Sequence, residues 1–418
     1  MKKPEIFYGW WIVFAVFFIS AYANGVVFYS FTAILEPLVK EFGWSYARAS
    51  FAASIRGFET SFLGPLIGVL FDRFGPRRLI FAGGTLIGLG LLLLSRTTAI
   101  ATFYFAFFLM ATGLGSCAAF MLTTVVGNWF RRNLSIASGI ALCGGAAGGL
   151  LVPLVTRLID LTGWRTAMVI IGLAAFCVIL PLSLIVRHKP EQYGYLPDGD
   201  KAIKQPSPEW STPPRNDESK IKIRLVLSNR SFWHISLGFL CHYLAVSVVL
   251  THIMPYLSTI DISRTSSSLV ASGIPLISIL GRISYGWLGD RLDKKRLAVS
   301  GYILIIMALL LLIHINNLGR WILLPFLLLF GLGFGGPIPM AFSMLLEYFG
   351  RGKSGTVVGT CMAVLSMGNI LGPPLAGWIF DYYGSYQVAW FTFLGVTVAG
   401  IISLLSLPRL GNNPPAAD

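Results

Sequence analysis

Charge is what this 418-residue sequence most lacks. Only 12% of its residues are Asp, Glu, Lys or Arg, and 55% are apolar, whereas a soluble domain carries about 25% charged residues. So little polar surface cannot cover a water-soluble globule of this size, which excludes an ordinary soluble enzyme. Cysteine is scarce and scattered. Cys117, Cys143, Cys177, Cys241 and Cys361 all fall in apolar stretches, with no C-x-x-C or Cys/His spacing. That excludes zinc and a disulfide framework and leaves small packing residues. No G-x-x-x-x-G-K-[ST] loop occurs, so ATP does not drive this protein. The glycines of Gly331-Leu332-Gly333-Phe334-Gly335-Gly336 lie inside an apolar run, where a phosphate loop has no place. No catalytic residue, metal or cofactor is expected. Acids are fewer than bases, 18 against 32, for a net charge of +14. In a soluble protein that excess would suggest nucleic acid. Here the positions of the charges point to a lipid bilayer, and no nucleic-acid partner is expected.

What the chain has in plenty is apolar length. A helix needs about 20 residues to cross a ~30 Å hydrocarbon core. Stretches of that kind recur twelve times, over 10–34, 46–71, 78–95, 100–128, 134–158, 165–187, 229–258, 265–289, 296–315, 320–348, 353–379 and 386–407. The run from Trp10 to Leu35 after Met1-Lys2-Lys3 is too long for a signal-peptide core and is read as the first span. Between spans 6 and 7 lies a polar stretch with Pro190, Pro197, Pro206, Pro208, Pro213 and Pro214, a linker by composition. The expected organisation is an N-terminal six-helix bundle (1–187), a cytoplasmic linker (188–228) and a C-terminal six-helix bundle (229–418). With both termini and the even-to-odd loops on one side, that side collects 23 of the 32 Lys and Arg. The positive-inside rule then puts both termini in the cytoplasm, in the cytoplasmic (inner) membrane.

The two halves repeat at an offset of 218–221 residues. Gly68-x-x-x-Asp72-Arg73-x-Gly75-Pro76-Arg77-Arg78 after span 2 returns as Gly286-x-x-x-Asp290-Arg291 after span 8. Gly113-x-Gly115 in span 4 returns as Gly333-x-Gly335 in span 10, and Pro153…Asp160-x-x-Gly163 ends span 5 as Pro374…Asp381-x-x-Gly384 ends span 11. Three motifs in register with the hydropathy indicate a duplicated six-helix unit, hence an all-α membrane protein of twelve transmembrane helices in two pseudo-symmetric bundles. Two similar bundles can rock about a midplane site, exposing it to each side in turn. The cationic turns at Asp72, Arg73, Gly75, Arg77 and Arg78 and at Asp290 and Arg291, with Gly68 and Gly286 before them, are candidate conformational-switch loops; the bland alternative is ordinary topogenic charge. Gly64 and Gly68, at spacing four, are expected to let helices approach closely.

The Asp72–Arg78 turn and its repeat resemble the loop motif of the major facilitator superfamily, and the resemblance covers essentially the whole chain. Tyr8-Gly9-Trp10-Trp11-Ile12-Val13, Trp129-Phe130-Arg131-Arg132-Asn133…Ala137-Ser138-Gly139-Ile140-Ala141 and Gly281-Arg282-x-x-x-Gly286-x-x-x-Asp290-Arg291 resemble the monocarboxylate and oxalate/formate branch. The chain departs from that branch at several points. Ser278 stands four residues before Arg282, where monocarboxylate carriers often have Asp; span 1 has no Lys in its apolar core; span 11 has no Lys or Arg from Gly355 to Ile379. Span 5 has Cys143-Gly144-Gly145-Ala146 in place of the Gly-Pro pair of drug antiporters.

A charge deep in a span costs roughly 2.5–3.5 kcal/mol on insertion scales and needs a partner or a purpose. Arg56 and Glu59 in span 2 and Arg282 in span 8 stand out. Arg282 lies two turns before Asp290, about 12 Å inside the cytoplasmic end. A guanidinium there can pair both oxygens of a carboxylate, or it can be a structural ion pair with an acid from another helix. Arg56 and Glu59, three apart, share a helix face. They make either a self-neutralising structural pair or a gate and proton site. Asn24 and Tyr29 in span 1, His242 and Tyr243 in span 7 and Asn369 in span 11 are candidate substrate contacts, beside the bland reading of hydrogen-bonded packing residues; His252 lies nearer the outer end.

These features lead to the expectation of a monomeric secondary transporter, not an enzyme, carrying a small organic anion by proton symport or exchange against a counter-anion. The alternatives are drug or amphipathic-compound efflux by the same fold and a non-transporting membrane sensor.

Overall fold

The computed structural model describes residues 7–59, 63–117, 119–193, 196–199, 226–349 and 354–408. The Asp72 side chain and most of the expected linker lie outside that set. Every regular element among the described residues is a helix. Ten helices are long and apolar enough to span a membrane: Tyr8–Phe42, Pro76–Ser95, Ile136–Thr162, Trp164–Ile185, Arg230–Thr259, Arg264–Gly289, Lys294–Ile313, Arg320–Phe349, Val357–Tyr383 and Tyr386–Leu405. Span 2 is described in two pieces, Tyr46–Phe58 and Gly64–Phe74, and span 4 as Ile100–Ser116 and Ala119–Trp129. Together these are the twelve spans. Only helices or closed barrels satisfy every backbone polar group in hydrocarbon. The helices turn large apolar side chains outward, Leu161 (72% exposed), Leu324 (70%) and Ile283 (63%) among them, a surface that lipid rather than water solvates.

Helix ends follow the repeat. Ser45 Oγ accepts from the Arg48 amide at 3.3 Å and starts span 2. Ser263 Oγ, 218 residues on, accepts from the Ser266 amide at 3.2 Å and starts span 8. Gly163 and Gly384, which close the two Asp-x-x-Gly motifs, have φ of 77° and 67°. That left-handed backbone is easy for glycine and costly for other residues, so the chain reverses there into spans 6 and 12.

Glycines also set the helix spacing. A Cβ on Gly113 would meet the Gly83 carbonyl oxygen at 2.5 Å and Ile87 at 2.8 Å; a Cβ on Gly333 would meet the Gly301 oxygen and Ile305, each at 2.8 Å. Span 4 therefore rides on span 3 as span 10 rides on span 9. Gly64 and Gly68 do not play this part: among the described residues a Cβ at either meets nothing within 4 Å. Close approach is made where two bare backbones face each other, and glycine spacing alone does not identify that face.

By contacts the chain divides into two units. Unit 1 is Met1–Ala202 with Val248–Leu276 and Pro373–Tyr386; unit 2 is Ile203–Ser247, Ile277–Gly372 and Gln387–Asp418. Unit 1 thus holds the first half together with the ends of spans 7 and 11 and the start of span 8. Unit 2 has an apolar core that includes Phe232, Phe239, Tyr302, Met344 and Leu404.

Candidate functional site

In unit 2 the candidate residues come together around one aromatic side chain. Gly281 packs its bare backbone on span 10, where a Cβ would meet the Leu332 oxygen at 2.7 Å and the Gly336 nitrogen at 3.1 Å. A Cβ on Gly335 would meet the Ser278 backbone, overlapping the carbonyl oxygen and reaching the carbonyl carbon at 2.8 Å. Spans 8 and 10 are therefore in backbone contact beside Arg282. The Arg282 guanidinium lies over the Phe334 ring, 5.8 Å from its centroid. Its Nε is buried without a hydrogen-bond partner among the described residues. A buried donor left unmatched costs about 1–3 kcal/mol, so the site as it stands is short of an acceptor.

Span 7 supplies the neighbours. Tyr243 is half-buried and within electrostatic reach of Arg282. Gly368 lets span 11 approach here, since a Cβ on it would come within 3.0 Å of the Tyr243 Cβ, and its carbonyl accepts from Ser247 Oγ at 3.1 Å. Asn369, the next residue, is half-buried. His242 is 1% exposed and turns the other way. Its ring centroid lies 5.3 Å from that of Tyr302, and the Phe334 backbone is within hydrogen-bonding reach of it. Neither ring nitrogen makes a full hydrogen bond among the described residues. His242 thus belongs to the bundle interior, and Tyr243 to the side on which Arg282 acts.

In unit 1 the candidates cluster at a break in span 1. The helix Tyr8–Ala23 gives way to a wider π turn over Asn24–Tyr29 before Phe31–Phe42 resumes. A π turn disturbs the regular ladder of carbonyl acceptors and often marks a functional segment. Arg56 answers it: Nη1 donates to the Val27 and Phe28 carbonyls, each at 2.9 Å, and the guanidinium lies 4.6 Å from the Phe28 ring centroid and 5.1 Å from that of Phe31. Glu59 is 4% exposed and packs on Gly115, where a Cβ would overlap its carboxylate. Gly115 is the counterpart of Gly335, so the same glycine in each half accommodates span 2 or span 8. Asn24 Nδ2 donates back to the Ser20 carbonyl at 2.9 Å, and Tyr29 is buried. Of the switch-loop residues, Arg73, Arg77, Arg78, Asp290 and Arg291 are exposed, and Gly68, Gly75 and Gly286 half-buried. Arg291 stacks on Trp287, 3.8 Å from its ring centroid.

Sequence reasoning missed a second polar cluster, at the end of unit 1 where spans 2 and 8 begin. Glu36 is 7% exposed, lies 2.6 Å from Lys40 Nζ and 3.7 Å from Arg264 Nη1, and accepts from Ser258 Oγ at 2.9 Å. Arg264 Nε donates to Asp160 Oδ1 at 2.7 Å. Asp381 accepts from the Tyr46 and Ala47 amides at 2.9 and 2.8 Å, the free N–H groups at the start of span 2. The repeated Asp-x-x-Gly was the available signal, because Tyr46 and Arg264 stand at the 218-residue offset. The aspartate ending span 11 binds the start of span 2, and the one ending span 5 binds the start of span 8. His252 belongs here as well, with Ser50 Oγ at 3.2 Å, the Pro373 carbonyl at 2.9 Å and Tyr386 Oη at 3.0 Å. Its Nε2–H donates to the carbonyl, so it is a fully engaged packing residue. Among the described residues no group of three or more His, Cys, Asp or Glu is placed to hold a metal.

Known proteins of similar sequence and shape place this geometry. Monocarboxylate transporter 13 of Bos taurus is 27% identical, over 98% of this chain and 91% of that protein. Monocarboxylate transporter 12 of Xenopus laevis is 25% identical, over 99% of this chain and 92% of that protein. The crystal structure of the nucleoside transporter NupG is 12% identical and has a TM-score of 0.76, over 96% of this chain and 99% of that one. The family model of the Major Facilitator Superfamily matches residues 11–364 and 260–417. With twelve spans, a duplicated bundle and that match along nearly its whole length, this chain belongs to the major facilitator superfamily.

Proposed function

We propose that this chain is a secondary transporter of a small organic anion, a monocarboxylate, working by alternating access as a proton symporter or anion exchanger. The observation that carries this reading is Arg282: a guanidinium well inside a span, stacked on Phe334, with a buried Nε that lacks an acceptor. A carboxylate supplies what that group lacks, two coplanar oxygens for two N–H donors. Tyr243 lies on the side where a bound anion would sit and is assigned the hydroxyl contact; Asn369 flanks it. Similarity to Monocarboxylate transporters 12 and 13 supports the substrate class.

Arg56 and Glu59 are assigned to gating. Arg56 holds the broken segment of span 1, on which Asn24 and Tyr29 sit, so movement of span 2 is transmitted to that segment. The loops at Asp72–Arg78 and Asp290–Arg291 are assigned the switch role that their repetition suggests. The protein is placed in the cytoplasmic membrane as a monomer with both termini inside, which the Lys and Arg distribution supports.

The test is uptake of a panel of short carboxylates (formate, acetate, lactate, pyruvate, oxalate) by proteoliposomes holding the purified chain. Arg282→Ala is expected to abolish uptake while inserting normally, and Arg282→Lys to rescue it poorly, because a point charge does not reproduce the fork. Uptake by Arg282→Ala at the parent rate would remove Arg282 from the mechanism.

A further inference from the structure

A carrier that couples an anion to a proton needs a titratable group inside the membrane. In the second half the carboxylates of the helical region are Asp261, Asp290, Asp293, Glu347 and Asp381, all at or beyond helix ends. The position one turn before Arg282 is Ser278. Among the described residues, two histidines stand in the interior of span 7. His252 is spent on three hydrogen bonds. His242 is as deeply buried and meets, among the described residues, only the Phe334 backbone as a hydrogen-bonding group. A buried imidazole that meets one backbone group and, among the described residues, no polar side chain that satisfies it is an expensive packing residue, since an under-matched polar group costs stability and an apolar side chain of the same shape would not. An ionisable side chain kept in that state inside a membrane is a functional candidate by default.

We propose that His242 carries the coupled proton, and that its protonation is linked to anion binding at Arg282 through their common neighbour, Phe334. This rests on the reading of Arg282 as the carboxylate receptor. The groups facing His242 are Tyr243 and Cys241 on its own helix, Tyr302 from span 9 and the Phe334 backbone from span 10; Arg282 from span 8 lies over the Phe334 ring, and Cys361 from span 11 lies beside Tyr243. No carboxylate is among them. The fixed charge among these groups is Arg282, which meets the ring of the Phe334 whose backbone meets His242, and it has the same sign as a protonated imidazole. With the site empty, that charge opposes protonation. A carboxylate paired with Arg282 cancels the opposition, and one proton then enters at a ring nitrogen of His242. When the anion leaves, the uncovered guanidinium expels the proton. The step moves one proton and one anion together, with no net charge. Linkage is reciprocal, so the protonated histidine raises anion affinity by the factor by which the anion raises proton affinity.

The experiment uses the full chain in proteoliposomes, with radiolabelled lactate or the panel member carried best as the probe. It compares accumulation driven by an inward acid gradient with counterflow at equal pH, which needs no net proton movement. For His242→Gln the ratio of gradient-driven accumulation to counterflow is expected to fall at least tenfold. For Arg282→Ala both fall together. In detergent at weak buffering, the parent chain is expected to take up about one proton per anion bound, and His242→Gln none; this readout does not depend on reconstitution.

Gradient-driven accumulation at the parent ratio in His242→Gln would overturn the proposal. So would proton uptake on anion binding by that variant, the uncoupled phenotype in Glu59→Gln instead, or a parent chain that ignores the gradient. In each of these cases loss of counterflow in Arg282→Ala would still uphold the receptor. Parent-level counterflow in Arg282→Ala would sink the receptor reading itself.

Discussion

Gly335→Ala adds a single methyl group where spans 8 and 10 touch backbone to backbone. The new Cβ would overlap the Ser278 carbonyl oxygen, with the carbonyl carbon at 2.8 Å and the Cα at 3.0 Å. All three are main-chain atoms of a helix, so no side chain can swing aside; span 8 must move. Overpacking of this kind costs about 1–3 kcal/mol. Alanine also favours a helix by about 1 kcal/mol over glycine, which masks part of that cost. Gly395→Ala, in span 12, carries the same gain into open space, as a Cβ there meets nothing within 4 Å. The difference between the two variants therefore isolates the contact. At roughly 2–4 °C per kcal/mol for larger domains, Gly335→Ala should melt about 2–12 °C below Gly395→Ala. The assay is thermal unfolding of the detergent-purified proteins at one scan rate, because such transitions are often irreversible. Arg282 lies one turn beyond Ser278, so the displacement also moves the guanidinium, and the KM for the carried anion should rise. Equal melting temperatures and equal KM values for the two variants would refute the argument that this glycine sets the position of span 8.

Two further predictions concern unit 1. Arg56→Met removes the donor on the Val27 and Phe28 carbonyls at the π turn, at about 1–3 kcal/mol for each buried acceptor left bare. Aggregation on gel filtration in detergent is expected, with partial recovery in Arg56→Lys; a monodisperse Met variant would mean that the break in span 1 stands without it. Asp160→Ala with Asp381→Ala removes both attachments, the Asp381 contacts with the Tyr46 and Ala47 amides being worth about 0.5–2 kcal/mol as a helix-start cap and the part-exposed Asp160–Arg264 pair about 0–1 kcal/mol. If the two add, a water-soluble thiol reagent should modify a cysteine placed at the buried Ser50 about tenfold faster in the double variant than in the parent background, and unchanged labelling would show that these aspartates do not secure the packing around Ser50.

The sequence by itself determined the class of solvent, the number of spans and the duplication. Hydrophobic length and main-chain hydrogen bonding leave few choices in a bilayer, and the repeated motifs keep their offset whatever the packing. It also singled out Arg282, since a charge in hydrocarbon is conspicuous one residue at a time. Only the tertiary structure decided what each polar group meets. Arg56 turns to the carbonyls of a π turn that no periodicity announces. Glu36 finds Arg264 more than two hundred residues away, the repeated aspartates each bind the start of another span, and of the two span-7 histidines one is fully engaged while the other is not. Gly64 and Gly68 have the spacing of a close contact, yet Gly113, Gly115, Gly333 and Gly335 make it. Spacing along one helix says which residues share a face; what that face touches depends on the rotation and approach of a second helix, which no local pattern specifies.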